Sequence, residues 1–289
     1  MTDEDGKRDR NLFVKSQTSH IRAKKSFGQN FLVDASVIER IVQAVEPRED
    51  ETIIEIGSGL GALTGRLAET AGRLVAIELD RDLTPQLRKK FDGCEGFMLV
   101  EGDALLLDLC SLIAPAQGAR LVANLPYYIS TAILQRLLEQ RECLTELTLM
   151  LQREVAERIT AAPGTSERGY LSVLVEAYAE VEKLFDVAPT AFRPSPKVWS
   201  TIVRLNVRRR IAVEVPDELL LWRIVSTGFA QRRKTIFNNL RYAQTRFPGY
   251  NMDETSVRRL LEVAGIEQQR RAETLTLADW ARLSIAFGA

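Results

Sequence analysis

Thr52-Ile-Ile-Glu-Ile-Gly-Ser-Gly-Leu-Gly61 is the stretch that decides the fold of this chain. Its apolar start predicts a short buried strand, and the glycines from Gly57 to Gly61 predict a tight turn into a helix that carries Leu63 and Leu67. A strand, a glycine turn and a helix in this order are typical of a nucleotide-binding α/β unit, although a purely structural turn has the same spacing. The segments on either side of this stretch are therefore needed to distinguish a nucleotide-binding unit from a purely structural turn.

Apolar runs and helical repeats alternate on both sides of this stretch. A helix capped by Asp34 precedes it. Strands are predicted at residues 74–78, 97–100, 120–123 and 147–151, and most are followed by a helical pattern. Two more strands, at residues 181–187 and 200–207, are joined by a proline-rich loop and are predicted to form antiparallel edges. The expected fold class is α/β, with a Rossmann-like, mostly parallel sheet that has antiparallel edge strands.

Beyond residue 210 the strand patterns stop. Helices are predicted after Pro216 and at about residues 231–243, 254–264 and 277–287. We expect three regions: a disordered polar arm at 1–22, the α/β domain at 23–210, and a small all-helical domain at 211–289.

Composition excludes several kinds of chemistry. The chain has 289 residues, of which 45% are hydrophobic, and neither a signal peptide nor a membrane span is evident, which predicts a cytoplasmic protein. The single histidine, His20, argues against zinc sites, Ser-His-Asp catalysis and zinc-dependent base deamination, so no metal is expected. Cys94, Cys110 and Cys143 are few and widely spaced, which argues against a disulfide framework.

The charges are sorted along the chain although they sum to zero. Residues 46–108 hold fourteen acids and seven bases, whereas residues 187–213 and 221–250 hold six bases each and no acid. The N-terminal arm is also basic. Segments of one sign favour a polyanionic partner, with RNA or DNA ahead of a membrane.

Three acids predict the kind of cofactor. Glu78 ends the second strand, 21 residues after Gly57, where a carboxylate can accept both hydroxyls of a ribose. Glu55 lies just ahead of the glycines, where it would repel a pyrophosphate but attract the ammonium group of a methionine. Asp103, after the third strand, can accept from an adenine amine, with Ala104 as apolar cover. This pattern favours S-adenosylmethionine over NAD.

Asn124-Leu-Pro-Tyr-Tyr-Ile-Ser130 follows another buried strand at the same edge of the sheet. The Asn124 side-chain oxygen, with a Leu125 or Pro126 carbonyl, can accept the hydrogens of an adenine amine and direct its lone pair toward a methyl sulfonium. Tyr127 can stack on the base. A capped turn with packing tyrosines is the competing interpretation, and Tyr128 has no assigned role.

Eight motifs, in order from about residue 22 to the C-terminus, together resemble the KsgA-type ribosomal RNA adenine N6,N6-dimethyltransferases. They are Lys25-Ser-Phe-Gly-Gln-Asn-Phe-Leu32, Glu55-Ile-Gly-Ser-Gly-Leu-Gly61, Glu78, Glu101-Gly-Asp103, Asn124-Leu-Pro-Tyr-Tyr-Ile-Ser130, Leu151-Gln-Arg-Glu-Val-Ala156, Phe192-Arg-Pro-Ser-Pro-Lys-Val198 and Phe229-Ala-Gln-Arg-Arg-Lys-Thr235. Phe27 and Trp199 depart from the family pattern, as does the loop at 168–170.

The resemblance implies a class I methyltransferase domain that uses S-adenosylmethionine, releases S-adenosylhomocysteine and modifies adenines of 16S ribosomal RNA in the small subunit. The candidate cofactor contacts are Gln29, Asn30, Leu32, Glu55, Gly57, Gly59, Gly61, Glu78, Leu79, Asp103, Ala104 and Asn124. The candidate catalytic residues are Asn124, Leu125, Pro126, Tyr127 and Phe192, with Tyr127 and Phe192 sandwiching the base. The candidate RNA contacts are Lys24, Lys25, Arg193, Lys197, Arg232, Arg233 and Lys234. A monomer is expected.

Three alternatives stay open at this stage. An Erm-type enzyme would methylate large-subunit RNA and confer antibiotic resistance, a non-catalytic assembly factor would keep only the fold, and an NAD-dependent dehydrogenase would use the glycine turn differently. The intact Asn124–Tyr127 motif and the long C-terminal region favour the small-subunit methyltransferase.

Overall fold

A computed structural model describes residues 23–24 and 28–288. The strands are β1 (Phe31–Leu32), β2 (Thr52–Ile56), β3 (Arg73–Glu78), β4 (Phe97–Glu101), β5 (Ala119–Asn124), β6 (Leu144–Gln152), β7 (Ala179–Val187), β8 (Phe192–Arg193) and β9 (Ser200–Val207). The helices of the sheet region are α1 (Ala35–Val45), α2 (Ala62–Ala68), α3 (Thr84–Lys90), α4 (Leu109–Ile113), α5 (Ser130–Glu139), α6 (Arg153–Ile159) and α7 (Tyr170–Tyr178). They are followed by α8 (Glu218–Gly228), α9 (Ile236–Arg241), α10 (Glu254–Val263) and α11 (Leu277–Gly288).

Seven strands form one sheet in the order β4-β3-β2-β5-β6-β9-β7. The first five of these are parallel, and β9 runs antiparallel to both β6 and β7, so the predicted mixed sheet is confirmed. From β2 the chain first builds outward through β3 and β4 and later returns to the other side of β2 with β5. This reversal opens a crevice at the carboxyl ends of β2 and β5, which is where open α/β sheets bind ligands.

Side chains alternate between two hydrophobic clusters because successive residues of a strand point to opposite faces. On β2, Ile54 and Ile56 join the larger cluster, whereas Ile53 joins the smaller one with α1 and α2. β2 is buried along its whole length, as a central strand covered on both faces must be. The glycine turn therefore starts from a rigid element.

From α8 to residue 288 the structure contains only helices and turns, as predicted. Their apolar side chains, including those of Leu221 and Trp280, belong to the same cluster as Ile54 of the sheet. The division at residue 211 stays a prediction, since the hydrophobic core is continuous across it. None of the helices in the described part of the chain is long and apolar enough to cross a membrane. The predicted arm at 1–22 lies outside the described residues.

Several features differ from the sequence predictions, and the short elements α4, β1 and β8 are among those that were not predicted. Helix α7 was not predicted, because nearly every one of its residues is buried and it therefore lacks the polar face that marks an amphipathic helix. Cys110 and Cys143 form a disulfide between α4 and the turn before β6, a single bridge that the sequence analysis did not predict when it argued against a disulfide framework. They are 33 residues apart, and sequence separation says nothing about the Cα distance, here 5.4 Å, on which a disulfide depends.

Candidate active site

A cleft with about 800 Å³ of open space lies at the carboxyl edge of the sheet, between the ends of β2, β3, β4 and β5 and the segment before β1. It is lined by Gly28, Gln29, Asn30, Phe31, Ile56, Gly57, Gly59, Ile77, Glu78, Leu79, Asp80, Leu83, Gly102, Asp103, Ala104, Asn124, Leu125, Pro126, Tyr127, Tyr128, Ile129 and Ile133. Most of the predicted contacts of the cofactor and of the target base meet in this one cleft. Apolar side chains with a few polar groups among them are typical of a site for a small molecule.

The glycine turn places backbone directly at the cleft. Gly57 and Gly59 have φ of 78° and 55°, a left-handed conformation that glycine adopts without steric cost. The amide of Gly59 donates to Glu78 Oε2 at 2.8 Å, and the amide of Asp80 donates to Glu78 Oε1 at 2.8 Å. The turn and the end of β3 are thus joined through the Glu78 carboxylate. Burial raises the pKa of Glu78, and these two amides oppose that rise.

Glu55 does not line the cleft, which corrects its predicted place beside a ligand ammonium. Its side chain is only 2% exposed, and the hydroxyl of Thr64 on α2 donates to Glu55 Oε2 at 2.6 Å. Burial raises the pKa of Glu55 to about 7, against the lowering effect of Thr64 and Ser58. Glu55 therefore ties β2 to α2 from within the core.

Asp103 occupies the turn after β4. Its Oδ1 accepts the amide of Leu105 at 2.9 Å, which fixes the carboxylate in a turn that lines the cleft beside Ala104. Gly102 donates from its backbone to the carbonyl of Glu78 at 3.0 Å. The ends of β3 and β4 are therefore held together, and they present the Glu78 and Asp103 carboxylates to one space.

Residues 28–31 cover the cleft and form the covering segment, and this segment orients the Asn124 amide. Asn124 Nδ2 donates to the backbone carbonyl of Asn30 at 3.3 Å. The Pro126 carbonyl already accepts the amide of Ile129 at 3.2 Å, in the turn that starts α5. The acceptors that this arrangement leaves for a ligand are the Asn124 side-chain oxygen and the Leu125 carbonyl.

The Tyr127 ring is held at its hydroxyl end, where Tyr127 and Ser200 of β9 share a hydrogen bond of 2.7 Å. Burial raises the pKa of Tyr127, although the Ser200 hydroxyl acts in the opposite direction. The hydroxyl is therefore protonated at neutral pH, and it is engaged with Ser200. The part of Tyr127 that suits a flat ligand is its ring.

Tyr128 and Gly28 close the mouth of the cleft. Tyr128 is exposed, and its ring comes so close to Gly28 that a Cβ built there would lie 3.1 Å from Tyr128 Cδ1. Tyr128 thus packs on the covering segment, a contact that the sequence did not predict.

An ionic cluster fastens the covering segment to the turn after β3. Lys24 Nζ lies 2.5 Å from Asp80 Oδ1 and 2.6 Å from Asp82 Oδ2, and Gln29 Nε2 donates to Asp80 Oδ2 at 2.8 Å. Burial alone would raise the pKa of Asp80, but the hydrogen bonds from Lys24, Asp82 and Gln29 lower it. Lys24 is therefore held against the turn after β3, and its predicted role as a phosphate contact stays a prediction.

Three further predicted site residues lie outside the cleft. Phe192 is 1% exposed and packs in the smaller cluster with Leu32, its partner across the β1–β8 pair. A ring with no accessible face cannot stack on a base, so in this conformation Phe192 supports the covering segment and the prediction of a sandwich is not met. Leu32 is also buried, because it pairs with Phe192 across these two strands and packs in the same cluster. Gly61 begins α2, where a Cβ would lie 2.9 Å from Leu87 Cδ2, and so it serves the packing of α3.

Four of the other predicted RNA contacts are exposed, namely Arg193, Lys197, Arg233 and Lys234. Arg232 is exposed as well, but its guanidinium donates to the carbonyl of Ser166. Lys25 lies outside the described residues. The RNA-binding role of these side chains stays a prediction.

Several residues that line the cleft were not predicted as site residues, among them Gly28, Asp80 and Ile133. Asp80 had a usable signal, because it follows Glu78 by two residues and so falls at the same strand end. Ile133 had none, since its helical repeat predicts burial whether or not a cleft lies beside it.

The chain is similar over about nine tenths of its length to proteins of known type. Residues 20–283 match the family model of ribosomal RNA adenine dimethylases. A protein of Hahella chejuensis named ribosomal RNA small subunit methyltransferase A is 43% identical over 263 residues, which cover 91% of this chain and 92% of the relative. A protein of the same name from Geobacillus kaustophilus is 41% identical, covering 91% of this chain and 90% of the relative.

Two solved structures share the fold over most of this chain. A dimethyladenosine transferase of Plasmodium falciparum has a TM-score of 0.74 at 23% identity, covering 89% of this chain and 97% of the other. The 23S rRNA methyltransferase ErmE has a TM-score of 0.66 at 28% identity, covering 90% and 100%. With a match that spans nearly the whole sequence and a cleft that gathers its motifs, this chain belongs to the ribosomal RNA adenine dimethylase family.

Proposed function

We propose that this chain transfers methyl groups from S-adenosylmethionine to N6 of two adjacent adenines in 16S ribosomal RNA and dimethylates each of them during assembly of the small subunit. One observation carries the proposal: the Asn124–Tyr127 motif shares a single cleft with the Glu78 and Asp103 carboxylates. Relatives at 41–43% identity that are named small-subunit methyltransferases support this substrate over large-subunit RNA. We also propose, in line with the sequence prediction, that the protein acts in the cytoplasm as a monomer.

The donor set of the cleft suits S-adenosylmethionine. Glu78 would hold the ribose hydroxyls, Asp103 the adenine amine, and Leu79 and Ala104 the faces of the adenine ring. Gly57 and Gly59 allow the backbone to approach the rest of the cofactor. The cofactor supplies an electrophilic methyl group on a sulfonium.

The target adenine needs orientation rather than a strong base. Its N6 lone pair is delocalised into the ring, and the Asn124 side-chain oxygen with the Leu125 carbonyl would accept the two N6 hydrogens and direct the lone pair toward the methyl group. The hydrogen bond from Asn124 Nδ2 to Asn30 holds the side-chain amide for this task. Tyr127, anchored on Ser200, would stack on the flipped base, a contact of about 1–3 kcal/mol.

The experiment is incubation of the protein with labelled S-adenosylmethionine and small subunits purified from a strain that lacks the modification, followed by mapping of the labelled nucleotides. We expect label on adenines of 16S RNA. Label in large-subunit RNA alone would assign the protein to the Erm type, and absence of label from all ribosomal RNA would remove the proposal.

Asn124→Ala separates orientation of the base from cofactor binding. We expect methyl transfer to fall below detection while calorimetry still measures binding of S-adenosylmethionine. Asn206→Ala, which removes an exposed asparagine of β9, is the matched control. Parallel loss of binding and transfer in Asn124→Ala would contradict the role given to Asn124.

A further inference from the structure

Trp199 is a large aromatic residue that the proposed chemistry does not use. It is 45% exposed, whereas Trp280 is fully buried and Trp222 is partly buried against Tyr178. An indole at the surface leaves apolar area in contact with water and offers a large flat face on which another ring can stack. Trp199 lies immediately before β9.

The Trp199 indole is held in place by its neighbours. The Arg153 guanidinium lies over the ring, 4.9 Å from its centroid, and the Arg153 amide donates to the Trp199 carbonyl at 3.0 Å. Arg153 is itself paired with Asp186 at 2.7 Å, and Thr201 donates to the other oxygen of Asp186 at 2.6 Å. A ring fixed in this way loses little conformational entropy when a ligand stacks on it.

Trp199 lies at the end of β9 that anchors Tyr127. Ser200, the next residue, shares its hydroxyl hydrogen bond of 2.7 Å with Tyr127 at the cleft. Adjacent Cα atoms are about 3.8 Å apart and successive strand residues point to opposite faces, so the indole lies across β9 from the Tyr127 hydroxyl, on the face where Thr201 bonds Asp186. A strand of RNA that delivers one base to Tyr127 and then crosses this end of β9 would meet Trp199 on the other side.

The charge around Trp199 suits RNA. Lys197 and Arg193 are exposed in the loop that leads to it, and residues 187–213 contain no acid. Single-stranded RNA is bound by combining such cations, which contact phosphates, with aromatic rings that stack on bases.

We propose that Trp199 is a stacking platform for an unpaired RNA base next to the target adenine, so that the strand is held by two rings, Tyr127 and Trp199. The idea rests on the proposed function and names a positioning residue for it. The exposed indole, fixed by Arg153 and adjacent to the anchor of Tyr127, carries the inference.

The test compares steady-state methylation of unmodified small subunits by the wild type, Trp199→Ala, Trp199→Phe and Leu219→Ala. Leu219 is 78% exposed on α8 and controls for loss of an exposed apolar side chain. Since stacking on a base is worth about 1–3 kcal/mol, kcat/KM for the subunits should fall about 5- to 150-fold in Trp199→Ala. We expect the loss to appear in the KM for subunits, with the KM for S-adenosylmethionine unchanged, and Trp199→Phe to recover most of it.

A second readout follows the indole itself. Tryptophan emission should be quenched when a single-stranded RNA of about ten nucleotides with two adjacent adenines binds, and Trp199→Phe should lack that part of the quenching. Quenching of equal size in both proteins would overturn the proposal.

The remaining outcomes are also decisive. An inactive wild type would remove the proposed function. An active wild type with unchanged kinetics in Trp199→Ala would remove only the platform. If Trp199→Ala and Trp199→Phe both lose S-adenosylmethionine affinity or unfolding free energy in proportion to their loss of activity, Trp199 is a packing residue and the proposal is overturned.

Discussion

Replacing Glu55 with glutamine should remove a pH dependence of stability that is built into β2. Glu55 is buried, its carboxylate accepts the Thr64 hydroxyl, and burial raises its pKa from 4.5 to about 7 against the lowering effect of Thr64 and Ser58. Each tenfold change in proton affinity corresponds to about 1.4 kcal/mol, so ionising Glu55 in the folded protein costs about 3 kcal/mol more than in the unfolded chain.

The sign follows from the raised pKa. Between about pH 4.5 and pH 7 the folded protein holds a proton on Glu55 that the unfolded chain has released, so the contribution is fully present below pH 4.5 and is lost as the pH rises through 7. Glutamine has nearly the same shape and does not titrate. The difference in unfolding free energy between Glu55→Gln and the wild type should therefore shift in favour of the variant by about 2.5 kcal/mol between about pH 5 and pH 8.

The assay is urea unfolding of both proteins across this range, since other titrating groups cancel in the difference. Glu95→Gln, at an exposed glutamate, is the matched control and should show no such trend. A difference between Glu55→Gln and the wild type that stays constant with pH would refute the assignment of Glu55 as a buried, protonated link to α2.

Three further predictions concern the cleft. Tyr127→Phe keeps the ring and should keep methylation of small subunits within about threefold of the wild type, whereas Tyr127→Ala should lose about tenfold or more; a large loss in Tyr127→Phe would mean that the hydroxyl takes part in the chemistry. Lys24→Met breaks the contact with Asp80 and should weaken binding of S-adenosylmethionine severalfold in calorimetry. Equal weakening in the exposed control Lys89→Met would show that the contact between Lys24 and Asp80 has no specific effect on cofactor binding. Gly59→Ala forces a side chain into a backbone with φ of 55° and should lower Tm and cofactor affinity together, so a variant of normal affinity would show that the turn is more tolerant than its geometry indicates.

Much of the fold was predictable because its elements carry strong local patterns. β2, β3 and β5 are short apolar runs that end in a polar residue or glycine, and the predicted strands agree with the structure to within a few residues. The pattern failed for α7, where burial on nearly all sides removes the periodicity that marks a helix. The strand pair β1–β8 is too short to leave any pattern.

The candidate site was predictable to the extent that strand ends meet at one edge of a parallel sheet. That rule predicts that Glu78, Asp103 and Asn124 lie together, and the cleft contains all three. It did not extend to residues whose place depends on a partner from another element. Lys24 belongs to a basic segment, yet Asp80 and Asp82 engage it, and Phe192 belongs to a loop motif, yet Leu32 and its neighbours bury it.

What the sequence by itself determined is the succession of strands and turns, the order of the motifs, and the exclusion of histidine chemistry by its single histidine. What only the tertiary structure decided is which of two similar acids serves the cleft. Glu55 and Glu78 both lie at or near the carboxyl end of a buried strand, but α2 packs its Thr64 hydroxyl on the first, and the Gly59 amide bonds the second at the cleft wall. The pattern of a strand is local and sets which way a side chain points, whereas the element that meets it there comes from a distant part of the chain.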